Sequence, residues 1–572
     1  MNDSGITAVV PLTKRPARWD LDRLTTGGAG LGLGIFLTLM LILPLGAMLG
    51  RSLIGPDGAF VGLANYVTYA NTPSLVRVLS NSLFVAFTCA SIVTFVAFIY
   101  AYSLTRSHMP GKAIFRVVAL VPILAPSLLP AIALVYIFGR QGMLNDWLFG
   151  ASVYGPIGII IGISFWVFPH AVMLLTTALG NADGRLYEAA KVLGAGPVRT
   201  FFTITLPSAR YGLVSAFFVA FTLAIADFGV PKVIGGQYDV LATEIYKQVV
   251  GRYDFSMGAV VGAVLLIPAG FAFIADRIVQ HRQAAMLSTR AVPYHPTPNP
   301  LRDGLLLAFC SAVAVVILGI LATAAYASFI QFWPYNLSLT LDNYRFDLMD
   351  GGGWDSYWNS VQMATWTAVI GTAVVFAGAY ATEKGQAPRS MRSAVHLLAM
   401  LPMAVPGMVL GLGYVFFFNS PANPLVGLYH TMAILVFSTI VHYYTVSHLT
   451  AVTALKQIDS EFEAVSASLK VPVHRTFLRV TLPVCAPAVL DISVYFFLNA
   501  MTTVAAVVFL YGPDTTLASV AVLNMDDAGD VAPAAAMAMM IVYTSITVKL
   551  IHWLLTRRVL QRAQAWREYA GD

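Results

Sequence analysis

The chain has 572 residues, of which 58% are apolar and only 11% charged, with a formal net charge of +6. Soluble domains carry about 45–50% apolar and about 25% charged residues, so no soluble core can hide this much apolar surface. A soluble fold is excluded, and the surplus apolar surface must face lipid.

Taken in chain order, residues 1–28 form a polar, basic leader with Lys14, Arg15, Arg18 and Arg23. A spanning helix needs about 20 residues at 1.5 Å each to cover the ~30 Å hydrocarbon layer. Runs of that kind follow at Leu31–Leu49, Leu83–Thr105, Val117–Gly139, Gly155–Gly180, Tyr211–Ala226 and Met257–Ala275. The fifth is short as written and is expected to begin nearer Pro207. The first is long enough to stay as a span, so no cleavable signal peptide is expected. Residues 281–302 read as a semi-rigid linker, with Pro293, Pro296, Pro298 and Pro300. Six more runs come at Gly304–Ile330, Ser360–Thr382, Ser393–Phe418, Leu425–Ser447, Ile492–Pro513 and Val531–Val548, before a polar tail at 557–572.

With the N-terminus in the cytoplasm, most of the 34 Lys and Arg residues fall in cytoplasmic segments and the outer loops are net acidic. That is the positive-inside bias, so the basic balance is topological and gives no reason to expect nucleic acid. Cys89, Cys310 and Cys485 lie in or beside the runs without a pairing pattern, which argues against disulfides or a metal role.

The two halves repeat with a shift of about 276–280 residues. Asn65-Tyr66 and Asn81-Ser82 match Asn343-Tyr344 and Asn359-Ser360, while Pro122 and Pro126 match Pro402 and Pro406. Leu241-Ala242 matches Leu517-Ala518, and Asp254 matches Asp530. The expected fold is therefore an all-α membrane protein of twelve transmembrane helices. They form two parallel six-helix repeats, residues 29–280 and 303–556, about a pseudo-two-fold axis with the pathway between them. The proline pairs are expected to kink the third spans.

The long loop after the fourth run carries the functional signal. Asp183 is a good N-cap, and Leu186, Ala189, Ala190 and Leu193 share one helical face. Gly194 can end that helix with a positive φ, Gly196 and Pro197 open a second, and Val198, Phe201 and Phe202 form another apolar face before Leu206-Pro207. Two short helices with such faces need something to bury them. This loop, with Glu188-Ala189-Ala190, Gly194 and Leu206-Pro207, resembles the signature loop of binding-protein-dependent importer permeases, the type I importers of the ATP-binding-cassette class. The resemblance implies a coupling helix that docks on a nucleotide-binding subunit, and it extends over 51–548.

At a shift of 276 the second copy keeps Asp459, Phe462, Leu469, Phe477, Leu482 and Pro483. It departs at Ala464, which stands where Glu188 stands, with Glu463 one place earlier, and at Lys470, which replaces Gly194. A lysine in a left-handed turn costs about 1 kcal/mol or more, so this turn is expected to be built differently and the two contacts to be unequal.

No GxxxxGK[ST] loop occurs, so ATP and Mg are expected on a separate subunit and no cofactor on this chain. The resemblance implies two copies of a cytoplasmic ATP-binding-cassette ATPase, an external substrate-binding protein, and a bacterial inner-membrane location. It is strongest for fused permeases of the 2-aminoethylphosphonate group, favoured here for its second post-span segment Tyr511–Asp527, with the ferric-iron group as the alternative. Asp227, Asn499, Thr502 and Thr503, in or beside the fifth run of each half, are the candidate pathway residues. An ion-coupled secondary transporter would need acids near the midplane, where these runs have almost none. A membrane enzyme would need a constellation that His170, His396, His430 and His442 do not form, and each of these reads more simply as a packed or interfacial histidine.

Overall fold

The computed structural model describes residues 17–286, 292, 294–385, 388–459 and 461–569, so Lys14, Arg15 and Pro293 of the leader and linker lie outside the described residues. Among the described residues eight helices are long and apolar enough to cross a bilayer, and four bent pairs, each taken as one span, bring the number to twelve. Spans 1, 2, 4, 5 and 6 are Thr25–Ser52, Pro73–Arg106, Pro156–Gly180, Pro197–Ala226 and Phe255–Gln280. Spans 7, 8 and 12 are Pro300–Phe329, Gly353–Glu383 and Val531–Arg557.

The bends of spans 3, 9 and 11 coincide with prolines. Span 3 (Lys112–Leu124 and Leu128–Phe138) turns by 103°, and span 9 (Arg389–Ala404 and Gly407–Phe418) by 111°. Ala125 and Val405, which precede Pro126 and Pro406, are both extended. A proline ring clashes with a helical conformation at the residue before it, so the expected kink becomes a break.

Span 11 (Val473–Val484 and Ala486–Thr502) turns by 78°. Pro487 stands there at the position of Tyr211, and its ring opposes a continuous ladder. Span 5, with tyrosine, runs through.

Two expected boundaries need correction. Span 10 is Met432–His442 with Tyr444–Lys456, later than the run at 425–447, because Val426–Leu428 is a short turn ahead of it. Span 11 ends at Thr502, and apolar residues 504–510 form a buried non-helical segment. Among the described residues the chain also forms a small hairpin, Ile330–Phe332 with Asn336–Leu339, and an isolated bridge between Ile54 and Phe60.

Each half sends its first span onto the other. Span 1 packs on spans 8 and 9, and span 7 packs on spans 2 and 3. Small residues permit this approach, since a Cβ on Gly378 would meet Leu33 at 2.5 Å and one on Gly413 the Pro44 carbonyl at 2.9 Å.

The repeated polar residues do the same work twice. Asn65 donates to the Ser52 and Ile54 carbonyls, as Asn343 does to those of Ser328 and Ile330. The Ser82 hydroxyl accepts the Leu241 N–H at 2.7 Å, and Ser360 accepts that of Ala518 at 2.7 Å. Asn81 and Asn359 donate to carbonyls of the same re-entering segments. These side chains satisfy backbone groups where the chain leaves helical structure, the condition for burying a loop among spans.

Candidate functional site

Between the halves lies a cavity of about 230 Å³, walled by the bends of spans 3 and 9 and by spans 4, 5, 10 and 11. Asp227, Asn499, Thr502 and Thr503 all line it. Asp227 and Thr503 stand at equivalent positions, each the extended residue that ends its fifth-position helix. The Asp227 carboxylate accepts the Val230 N–H at 3.1 Å and a bond from Ser127, tying it to the break in span 3. Asn499 and Thr502 also donate to carbonyls one turn back, at 2.8 and 3.1 Å.

Sequence reasoning missed other wall residues. Trp166, His170, His442, Tyr443 and Tyr495 line the same space, and among the described residues the Nδ1 atom of His442 has no hydrogen-bond partner. Their shared wall was hidden because it requires the bend between His442 and Tyr444, where the sequence has no proline.

At the end remote from the loops that follow spans 4 and 10, aromatic rings and an ion pair close the space. Phe228, on the wall, packs on Tyr246 at 5.3 Å, and Tyr246 stacks on Phe509 of the other half at 6.1 Å. Lys232 reaches across the halves to Asp527 at 2.9 Å and lies 5.3 Å from the centre of the Tyr246 ring. Asp526 beside them is pushed up to about 6, first by burial and then by Asp527, while Lys232 pulls the other way.

The loop after span 4 is a helical hairpin. Asp183 caps Gly184–Val192 by accepting the Arg185 N–H at 3.1 Å, and Arg185 holds that carboxyl down to about 2. Gly194 takes φ 70°, and Pro197 is the first residue of the next helix. Leu186, Glu188, Ala189, Leu193, Val198 and Phe202 are exposed, whereas Ala190 turns inward with Tyr187. Ala190 is thus no part of the open face. Phe201 also packs inward, on Phe98 and Tyr102. The hairpin joins span 5 through a wide helical turn, Phe201–Thr205, with no break from Pro197 to Ala226. Leu206 is partly buried in that helix and Pro207 exposed.

The second hairpin is built alike. Asp459 accepts the Glu461 N–H at 3.0 Å, Phe462 and Leu469 are exposed, and Phe477 packs on Phe376 and Tyr380. Lys470 takes φ 54°, so the expectation of a different turn is corrected. The Leu469 and Val471 N–H groups bond Val465 and Ser466 as Leu193 and Ala195 bond Ala189 and Ala190, and those bonds hold lysine in the left-handed region. Leu482 is partly buried and Pro483 exposed, as in the first copy. Glu463 turns inward to Lys384 at 2.9 Å.

The sequence pattern of the family described as "Binding-protein-dependent transport system inner membrane component" matches residues 94–288 and 374–561. The chain belongs to that family. Both hairpins and the cavity walls fall within the matched stretches of this permease. It is 28% identical to the ferric transport system permease protein FbpB of Actinobacillus pleuropneumoniae over 86% of this chain and 73% of that one. It is 29% identical to the putative ferric transport system permease protein FbpB 1 of Haemophilus influenzae over 77% of this chain and 71% of that one. A crystal structure of a bacterial ABC transporter for import of the acidic polysaccharide alginate aligns with 47% of the permease and 99% of its own chain, at TM-score 0.40 and 17% identity.

Proposed function

We propose that this permease forms the pathway of an ATP-driven importer for 2-aminoethylphosphonate, its hairpins facing the cytoplasm and each docking one of two ATP-binding-cassette subunits. ATP and Mg act on those subunits, and a binding protein delivers cargo to the opposite face. The observation that carries this reading is the unbroken helix from Pro197 to Ala226, which joins the first hairpin to Asp227 in the cavity wall. At 1.5 Å per residue such a helix moves as one lever. Closure of the ATPase pair would draw the hairpins together, swing this helix, and part the Tyr246–Phe509 and Lys232–Asp527 contacts at the far mouth.

The cargo assignment rests on cavity chemistry. Asp227 offers a carboxylate to an ammonium group. Asn499, Thr502 and Thr503 offer polar groups to a phosphonate, and the N-terminus of Gly407–Phe418 opens on the same space. Ferric iron is the second reading, favoured by the names of two relatives at 28% and 29% identity. Among the described residues no group of three or more His, Cys, Asp or Glu suits a metal ion.

The test is ATP hydrolysis by the permease–ATPase complex in nanodiscs with its binding protein. Stimulation by 2-aminoethylphosphonate, lost in Asp227→Asn, is the expected result. Stimulation by ferric ion alone would replace this reading with the second, and hydrolysis indifferent to the permease would end both.

A further inference from the structure

The ends of spans 2 and 8 grip the two hairpins at matching places, with different chemistry. Arg106 is 3% exposed at the end of span 2, and its guanidinium donates to the Leu179 carbonyl at 2.6 Å. It lies 5.0 Å from the ring centre of Tyr187 and 4.6 Å from that of Tyr294, and those two rings are 4.4 Å apart. Tyr187 belongs to the first coupling helix and donates to Thr205 at 3.1 Å, in the wide turn below span 5. Tyr294 comes from the linker between the halves, where the Val292 carbonyl accepts the Gly184 N–H at 2.8 Å.

Lys384 stands 278 residues after Arg106 at the matching end of span 8, and Glu463 stands 276 after Tyr187. Their ion pair at 2.9 Å therefore occupies the place of the arginine–tyrosine stack. This accounts for a glutamate one place early in the second copy. Its position is the inward one, and the outward position of Glu188 is filled by exposed Ala464. Glu188 is exposed, with no ion pair among the described residues.

We propose that Arg106 and Lys384 are positioning residues that lock the coupling helices to spans 2 and 8, and that Glu463 is an internal strut. The outward position of Glu188 then presents a carboxylate to the ATPase in the first hairpin alone, because Ala464 fills it in the second. A charge pair that only ties two elements together tolerates exchange of its two signs, whereas a docking carboxylate does not, and that difference separates the roles. The inference rests on the reading that the hairpins dock an ATPase.

The experiment compares Glu188→Gln, Glu463→Gln, Lys384→Glu and the exchange Lys384→Glu/Glu463→Lys in nanodiscs. It measures ATPase affinity, cargo moved per ATP, and thermal unfolding of the permease alone. Glu188→Gln is expected to weaken ATPase affinity by about tenfold, the scale of one charge-assisted hydrogen bond. Glu463→Gln and Lys384→Glu are expected to leave affinity within about twofold. They lower cargo moved per ATP and the unfolding temperature, and the exchange restores both. Should a single variant not fold, recovery of folded protein by the exchange is the same expected result.

Loss of ATPase affinity in Glu463→Gln that the exchange fails to restore would overturn the strut and make Glu463 a docking residue. No change in unfolding for any Lys384 or Glu463 variant would overturn it as well. If Glu188→Gln also leaves affinity unchanged, the docking reading fails, while the unfolding data still decide the strut.

Discussion

Replacing Lys232 with alanine removes two contacts at the mouth remote from the hairpins. Its ammonium lies 2.9 Å from Asp527 and 5.3 Å from the Tyr246 ring centre. Both partners of the ion pair are partly open to solvent, so the pair is worth about 0.5–1 kcal/mol. The cation–π contact adds about 0.5–1 kcal/mol. Their loss, about 1–2 kcal/mol, shifts the balance from closed to open mouth by about five- to thirtyfold. Asp527→Ala removes the ion pair alone and should shift it by about two- to fivefold. The double variant should match Lys232→Ala, because the pair can be lost only once. The assay is the rate at which a cysteine at position 503 reacts with an impermeant thiol reagent added from outside. Wild-type labelling in Lys232→Ala, or a double variant showing the product of the single effects, would refute the latch.

Asp526 gives a pH test. Its carboxyl is pushed up to about 6 by burial and by Asp527, whereas an unfolded aspartate ionises near 4. The folded chain holds that proton more tightly, so this group's stabilising contribution is present below about pH 4 and is lost as pH rises to about 6. Asp526→Asn should flatten the melting temperature between those values, and an unchanged slope would contradict the burial. At the hairpin turns, Lys470→Gly at φ 54° should raise stability by about 1 kcal/mol and Gly194→Ala at φ 70° should lower it by about as much. Thermal unfolding in detergent reads both, and equal signs would refute the shared turn. Ser82→Ala and Ser360→Ala each leave a buried N–H without its acceptor. Each should cost about 1–3 kcal/mol, and a large effect in one half only would break the equivalence.

The twelve apolar runs were legible because lipid demands them, and the repeat because paired polar residues hold paired loops. Hydropathy failed where buried chain is not spanning chain. Residues 504–510 are as apolar as a span yet pack as a turn inside protein. Tyr444–Lys456 stays helical despite Ser447, His448, Thr450 and Thr453, several of which face the interior or bond their own turn. Prolines marked the breaks in spans 3 and 9 but gave no angle. The four cavity-lining residues Asp227, Asn499, Thr502 and Thr503 were legible as polar groups in or beside apolar helices. His170 and His442 were not, since a histidine reads alike in a packed interface and at a cavity wall. The Arg106 grip joins residues far apart in sequence, and no local pattern announces it.

Spans 1 and 7 lie across the seam, each belonging by sequence to one half and by packing to the other. The halves therefore cannot part like the covers of a book without stripping a helix from its bed. Rotation that keeps both crossing helices seated is the permitted motion. It would open one end of the central space while the sides stay covered by spans 1 and 7.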